Sequence, residues 1–428
     1  MQRIGMVVTL ASLIVVGVGT PSVFAENWPQ WRGAANDGIS DEKGLPTEWS
    51  ETKNIAWKLK MPGMGASTPA IWGDSLFVTS IAPDLTLSLI CVGTDGKERW
   101  TRELGKGSGK VARSDEGNEA SPSPSTDGKA VYVFVGSGDL AAFDFEGKKL
   151  WAVNLQKMYG KFDIQFGMHS TPVLYENHLY LQLIHSNGAW VIALDKSSGK
   201  EVWKVKRESD GRAECEHSYA SPVLWKRGDS AYLITHGNDY AIAHDLKDGH
   251  EIWRVGDLNL KSKYNPTLRF VASPLATSDL IIVPSAKNGP VVAVKPNAKG
   301  LVMRGSEHQQ WRLDSGTPDV PSPVISKGLV YLARENGGLI CLDAASGEQY
   351  YAERTHNARH RANPLVADGK IYLVARDGLT TVVKEGRSFE VLSKNQLKDQ
   401  IAASPAVHNG RIYLRGYDYL YAISEGGK

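Results

Sequence analysis

The chain has 428 residues, with 49 basic against 47 acidic side chains, 42% hydrophobic residues and three cysteines. This balance leaves no broad positive surface for nucleic acid or an anionic membrane. Three cysteines without a CxxC pair exclude a disulfide framework, a zinc ribbon and a c-type haem site.

In chain order, Met1-Gln2-Arg3 is a short basic start and Ile4 to Gly19 is mostly apolar. Val23-Phe24-Ala25 places small or permissive residues where signal peptidase cuts, so residues 1–25 read as a secretory signal cleaved near Ala25. The expected location is periplasmic or otherwise extracytoplasmic. No cysteine follows at a lipidation position and no later stretch suits a membrane span, so neither a lipid anchor nor a span is expected. Residues 26–53 read as an N-terminal segment that Trp28, Trp31 and Trp49 lash across the body.

A Ser/Thr/Asn-Pro pair then recurs at Pro69, Pro124, Pro172, Pro222, Pro274, Pro323, Pro364 and Pro405, with spacings of 55, 48, 50, 52, 49, 41 and 41 residues. Such a period signals a propeller or solenoid. In seven units the eighth residue after the proline is aromatic or Ile, while the fourth reaches Tyr232 after ten. Unit six shows the plan: Ser322 to Ile325 opens a strand, Leu329 to Ala333 is a second, Asn336-Gly337 reads as a type I′ hairpin turn, Leu339 to Asp343 is a third and Tyr351 lies on the fourth. Four antiparallel strands make one blade.

Proline lacks a ladder donor, which places its strand at the inner edge, by the channel. A tryptophan four residues after a glycine recurs at Trp100, Trp151, Trp203 and Trp253 and suits the outer strand, where it fills the wedge between blades. The eighth unit has no Trp strand, but Asn54 to Leu59 is an orphan one. The fold expected is therefore all-β: an eight-bladed β-propeller over residues 54–424, closed by an N-terminal strand completing the last blade, with a tail at 425–428. Cys91 and Cys341 share a third-strand slot and read as small core residues; Cys215 reads as part of a solvated loop, and Gly105 to Lys110 as a flexible linker.

Ala193-Leu194-Asp195 through Gly199 to Trp203, and His244-Asp245 through Gly249 to Trp253, resemble the PQQ-like (quinoprotein-type) repeat. The leader around Trp28-Pro29-Gln30-Trp31-Arg32-Gly33 is similar to the start of exported planctomycete-type members. That family includes PQQ-dependent alcohol dehydrogenases and the B component of the outer-membrane β-barrel assembly machinery, so the resemblance implies the fold and leaves two functions open.

Loops joining each outer strand to the next Pro strand share one channel mouth, and those of blades two to five are longest: Trp100 to Pro124, Trp151 to Pro172, Trp203 to Pro222 and Trp253 to Pro274. Polar residues recur shortly before the prolines: Glu119, His217, Arg269 and Arg359 at five, Asp319 and His360 at four, His169 and Arg361 at three. Together they are the candidate ligand-binding set, suited to an anionic or polyhydroxylated ligand. The function expected is a non-catalytic binding scaffold of the cell envelope, monomeric, without a cofactor or metal, contacting an envelope protein or a small or polysaccharide ligand. The alternative is a PQQ- and Ca²⁺-dependent dehydrogenase of an alcohol or sugar, drawing on Glu119, Asn118, Asp319 and Arg269.

Overall fold

The structure, a computed structural model, describes residues 26–109 and 117–427. The leader read in residues 1–25 lies outside the described residues. Eight sheets, each built on four antiparallel strands, form the blades of a propeller. In blade one the strands run Ala70–Trp72, Ser75–Ile81, Thr86–Gly93 and Glu98–Lys106 from channel to rim. The orphan strand Ile55–Lys60 pairs antiparallel with Tyr419–Ile423, Ile55 opposite Ile423 and Lys60 opposite Tyr419. First and last blades are thereby joined and the ring has no open seam. Among the described residues no helix is long and apolar enough to cross a membrane.

The polar residue before each proline links neighbouring blades. The backbone N–H of Thr68 donates to Ser123 Oγ (2.9 Å), that of Ser123 to Thr171 Oγ1 (3.2 Å), and that of Thr171 to Ser221 Oγ (2.9 Å). The relay continues from Ser221 to Ser273 Oγ, Ser273 to Ser322 Oγ, Ser322 to Asn363 Oδ1 and Asn363 to Ser404 Oγ. An N–H entering the innermost strand has no ladder partner of its own, and it is buried here, so an acceptor from the next blade is required. Ser, Thr and Asn share that one feature: a short side chain with an oxygen.

The Ala-x-Asp-x-x-x-Gly-x-x-x-Trp pattern also resolves into packing. Across the strand pair the large ring faces a small residue: Trp203 opposite Ala193, Trp253 opposite Ala243, Trp311 opposite Ala293, Trp100 opposite Cys91 and Trp57 opposite Ala422. Asp195 Oδ1 accepts the N–H of Ser197, holding the turn that follows. Gly199, at φ +69, then faces the tryptophan of the preceding blade: a Cβ there would lie 2.6 Å from Trp151 Cε3. Trp151 in turn donates its indole N–H to Lys196 O in the same turn (2.7 Å). Gly96, Gly147, Gly249 and Gly347 stand against Trp57, Trp100, Trp203 and Trp311 in the same way.

Several local expectations change. Blades four and seven each carry a fifth, parallel strand: Gly300–Val302 on the outer edge of the first, and Ile39–Ser40 beside the innermost strand of the second. Asn336-Gly337 is not a type I′ turn, because Gly337 has positive φ and Asn336 does not; the I′ geometry occurs at Asn238-Asp239, at φ +46 and +65. The stretch read as a linker is partly strand, since Gly105 and Lys106 end the outer strand of blade one and Gly107 N–H donates to Leu85 O. Cys215 is fully buried rather than in a solvated loop, its thiol on Asn265 O (3.3 Å), and burial pushes it up from the usual thiol range.

Candidate ligand-binding channel

The channel is built from two tiers contributed by every blade. The residue just before each proline and the residue three before it both line a cavity of about 1160 Å³, its mouth included. An extended chain turns alternate side chains to one side, so these positions share a direction. The lower tier is the hydrogen-bonded ring of Ser, Thr and Asn. The upper tier holds small residues in blades one, two and eight (Ala66, Ser121, Ala402) but His169, Tyr219 and Arg361 in blades three, four and seven.

Across the floor runs the N-terminal segment. Trp28 exchanges both backbone hydrogen bonds with Ile71 in blade one (3.0 and 2.7 Å), and Pro29 O accepts Thr126 N–H in blade two. The buried guanidinium of Arg32 donates to the carbonyls of two repeat prolines, Pro274 (3.3 Å) and Pro323 (2.6 Å). Burial pulls that group down to about 10, with Asp37 opposing the shift. Gly38 O then accepts Val366 N–H in blade seven (2.9 Å). Trp28 and Trp49 are buried lashings as expected, whereas Trp31 lies between them in the cavity lining.

Of the eight candidate residues, five line this cavity: His169, Arg269, Asp319, Arg359 and Arg361. Arg269 donates to Glu214 Oε2 (3.2 Å) and stacks on Phe166, 4.8 Å from the ring centre. Arg359 pairs with Glu335, whose carboxylate also stands 3.8 Å from Arg361. Asp319 sits at φ +72, and its Oδ1 accepts the N–H of Lys287 (2.7 Å). This left-handed kink interrupts the alternation at Asp319, the one lining residue four before a repeat proline. His169 packs on Tyr219 (5.7 Å between rings), with Gly117 so close that a Cβ would meet its Cε1 at 2.4 Å. Burial lowers this imidazole to about 4, Arg361 acting in the same sense, so it is neutral at pH 7.

The other three stand elsewhere. Both oxygens of buried Glu119 accept the N–H of Ser108, at 3.0 and 2.9 Å. His217 meets Ser186 Oγ (3.0 Å), and burial lowers its pKa. His360 is buried against Ala358 O (3.1 Å) and lowered by burial to about 4. Four aromatic or charged lining residues stood outside the candidate set: Trp31, Phe166, Tyr219 and Lys287. Tyr219 occupies the same position as His169 and Arg361, so strict alternation would have found it. Nothing local marks Trp31, which reaches the cavity from outside the repeats. The assembled lining is rich in donors, from hydroxyls, guanidiniums and an ammonium, and poor in acceptors. It suits an acceptor-rich ligand.

Comparison with known proteins places this geometry. No curated protein matches the sequence. Among solved structures, BamB from Moraxella catarrhalis superposes with a TM-score of 0.61 at 14% identity, covering 86% of this chain and 99% of that one. The quinohemoprotein alcohol dehydrogenase from Comamonas testosteroni gives 0.69 at 13% identity, over 94% and 81%. A europium-containing methanol dehydrogenase gives 0.70 at 13% identity, over 92% and 90%. At such identities these likenesses concern the fold. The family model described as outer membrane protein assembly factor BamB matches residues 39–253, 136–301 and 299–388, most of the propeller, and the chain accordingly belongs to this BamB-type family of PQQ-like repeat proteins.

Proposed function

We propose that the protein is an exported, non-catalytic binding scaffold of the cell envelope, acting as a monomer and engaging its ligand or partner through the loop-rich mouth. The observation that carries this reading is convergence: five charged or imidazole side chains from four different inter-blade loops meet over one cavity. They stand on a ring closed by strand pairing and tied from blade one to blade eight by side-chain relays, which suits a rigid platform with variable loops. The family description names an assembly factor, a role of interaction rather than reaction.

The dehydrogenase alternative draws on the likeness to quinoprotein enzymes, but the residues present do not fit a calcium-bound quinone. Glu119 spends both oxygens on Ser108, Asn118 Oδ1 accepts the N–H of Ala120, and Asp319 Oδ1 accepts the N–H of Lys287. Ca²⁺ takes six or more oxygens, and among the described residues Asp319 is the single carboxylate in the lining.

Site-specific photocrosslinking in the producing cell tests the proposal. A crosslinker at Arg359 should yield discrete adducts, and one at Glu146, in the turn before blade two's outer strand, should yield none. Equal labelling at both positions would contradict a binding mouth.

A further inference from the structure

We propose that the outer edge of blade four is a second docking surface, separate from the channel mouth. Its occupant is an extended segment of a partner protein, added as a further strand, apolar on one face and acidic where it passes Lys299.

The edge is made by a departure from the repeat. In blades three, four and six a tight turn joins the third strand to the fourth, over residues 196–200, 246–250 and 344–348. In blade five the same connection runs over residues 295–308 and leaves its own blade, laying Gly300–Val302 parallel to Glu251–Val255 of blade four. The added strand is fixed in place. Val302 is buried in one cluster with Trp253 and Val255, and its carbonyl accepts Gly256 N–H (3.0 Å). Arg304 donates its N–H to Asp257 Oδ2 (3.3 Å) and pairs its guanidinium with Asp314.

What this strand presents outward selects the occupant. The N–H and C=O of one strand residue point the same way, and successive residues alternate. Val302 O faces blade four, so Leu301 N–H and C=O aim away from it, and neither has a hydrogen-bond partner among the described residues. Unpaired backbone groups at a sheet edge are a template for another strand. Leu301 is 55% exposed, the highest value among the described large apolar side chains, and Met303 is 38% exposed. Both lie against Gly256 beside Tyr240: a Cβ on that glycine would stand 2.9 Å from Met303 Sδ and 3.5 Å from Leu301 Cδ1 and Tyr240 Cε1. Edges that stay free are commonly guarded by charge, as Glu98, Arg99, Glu103 and Lys106 guard the outer strand of blade one. Here two apolar side chains stand instead. Lys299 is exposed at the start of the strand without an ion-pair partner among the described residues, while Arg254 and Arg304 are matched by Glu251 and Asp314. That leaves a positive charge for an acidic residue of the incoming segment.

Fluorescence anisotropy of the mature protein tests this with a labelled peptide of alternating valine and threonine ended by glutamates. Two controls are the same peptide ended by lysines, and the glutamate peptide N-methylated at two adjacent central residues, which blocks both of its edges. The glutamate peptide should saturate by about 1 mM, the lysine peptide should bind about threefold or more weakly, and the N-methylated one should not bind. On binding, amide exchange at Leu301 should slow about tenfold, while Val302, which faces blade four, should be unchanged. Leu301 is exposed, so Leu301→Gln should fold normally and weaken binding about tenfold. Lys299→Gln should erase the preference for glutamate. The proposal is overturned if the N-methylated peptide binds equally well, if Leu301→Gln binds like wild type, if exchange slows elsewhere and not at Leu301, or if the glutamate peptide does not saturate by about 1 mM. A dimer in sedimentation that Leu301→Gln dissolves would make a second copy the occupant and overturn it as well. Crosslinking at the mouth without peptide binding at this edge would overturn the proposal and leave the scaffold reading standing.

Discussion

The glycine in the last turn of blades one, two, three, four and six should be far less replaceable than its backbone angle alone implies. Gly199→Ala asks alanine to adopt φ +69, at a cost of about 1 kcal/mol. The new Cβ would also lie 2.6, 2.9 and 3.0 Å from three atoms of the Trp151 indole. That ring cannot swing away freely, because its N–H is bonded to Lys196 O in the same turn and its face packs on Tyr132, 6.3 Å between centres. Forcing extra volume into such a site costs about 1–3 kcal/mol, so the total is about 2–4 kcal/mol. Gly369→Ala is the control: its φ of +71 is equivalent, but a Cβ there meets nothing within 4 Å, which leaves the backbone cost alone. Urea unfolding by tryptophan fluorescence and by circular dichroism should show a clearly larger midpoint shift for Gly199→Ala at unchanged slope. In a Trp151→Ala background the two glycine substitutions should cost the same. Equal costs in the wild-type background would refute the interlock as the reason for the Gly-to-Trp spacing.

Other consequences follow from the same contacts. Ser221→Ala removes the acceptor of the buried Thr171 N–H and should cost about 1–3 kcal/mol in urea melts, with Ser221→Thr restoring most of it. Arg32→Ala leaves the carbonyls of Pro274 and Pro323 without donors beneath the cavity; a loss of about 3 kcal/mol is expected, and a Tm within a degree of wild type would contradict the role given to the N-terminal segment. Acid should weaken the fold early. His185, His236, His244 and His360 are buried, and burial lowers them to about 4, 3, 4 and 4. The unfolded chain takes up these protons near pH 6.5, so between about 6.5 and 4 it binds more protons than the native state and stability falls as pH falls. At pH 5 each contributes about 2 kcal/mol of loss at most, and Asp37 and Asp399, raised by burial, act in the opposite sense at the acid end. A Tm unchanged from pH 7 to pH 5 would count against these neutral buried imidazoles.

Much of the fold was legible because its contacts repeat. A proline that must stay at an inner edge, a ring that needs a small residue opposite it and a glycine beneath it, and an orphan strand that completes an incomplete blade all recur at fixed spacing. The site was only half legible. Equivalent positions do converge, as His169, Arg269 and Arg361 show, but a charged residue at the right offset can be claimed by a neighbour. Glu119 is held by Ser108 and His217 by Ser186, partners in loops whose paths no periodicity determines. His360 lies on the alternate side of an extended stretch, while Asp319 returns to the cavity at a left-handed kink. Trp31 forms the floor through an N-terminal segment that crosses to blades five, six and seven, contacts separated by hundreds of residues in sequence.

The most direct test of the scaffold reading is reconstitution of the purified mature protein with PQQ in the presence of Ca²⁺ and, separately, of EDTA, with binding followed by calorimetry and turnover by dye reduction on alcohols and sugars. The account predicts no calcium-dependent binding and no dye reduction. Tight 1:1 binding that is lost in EDTA, accompanied by substrate-dependent dye reduction, would contradict it.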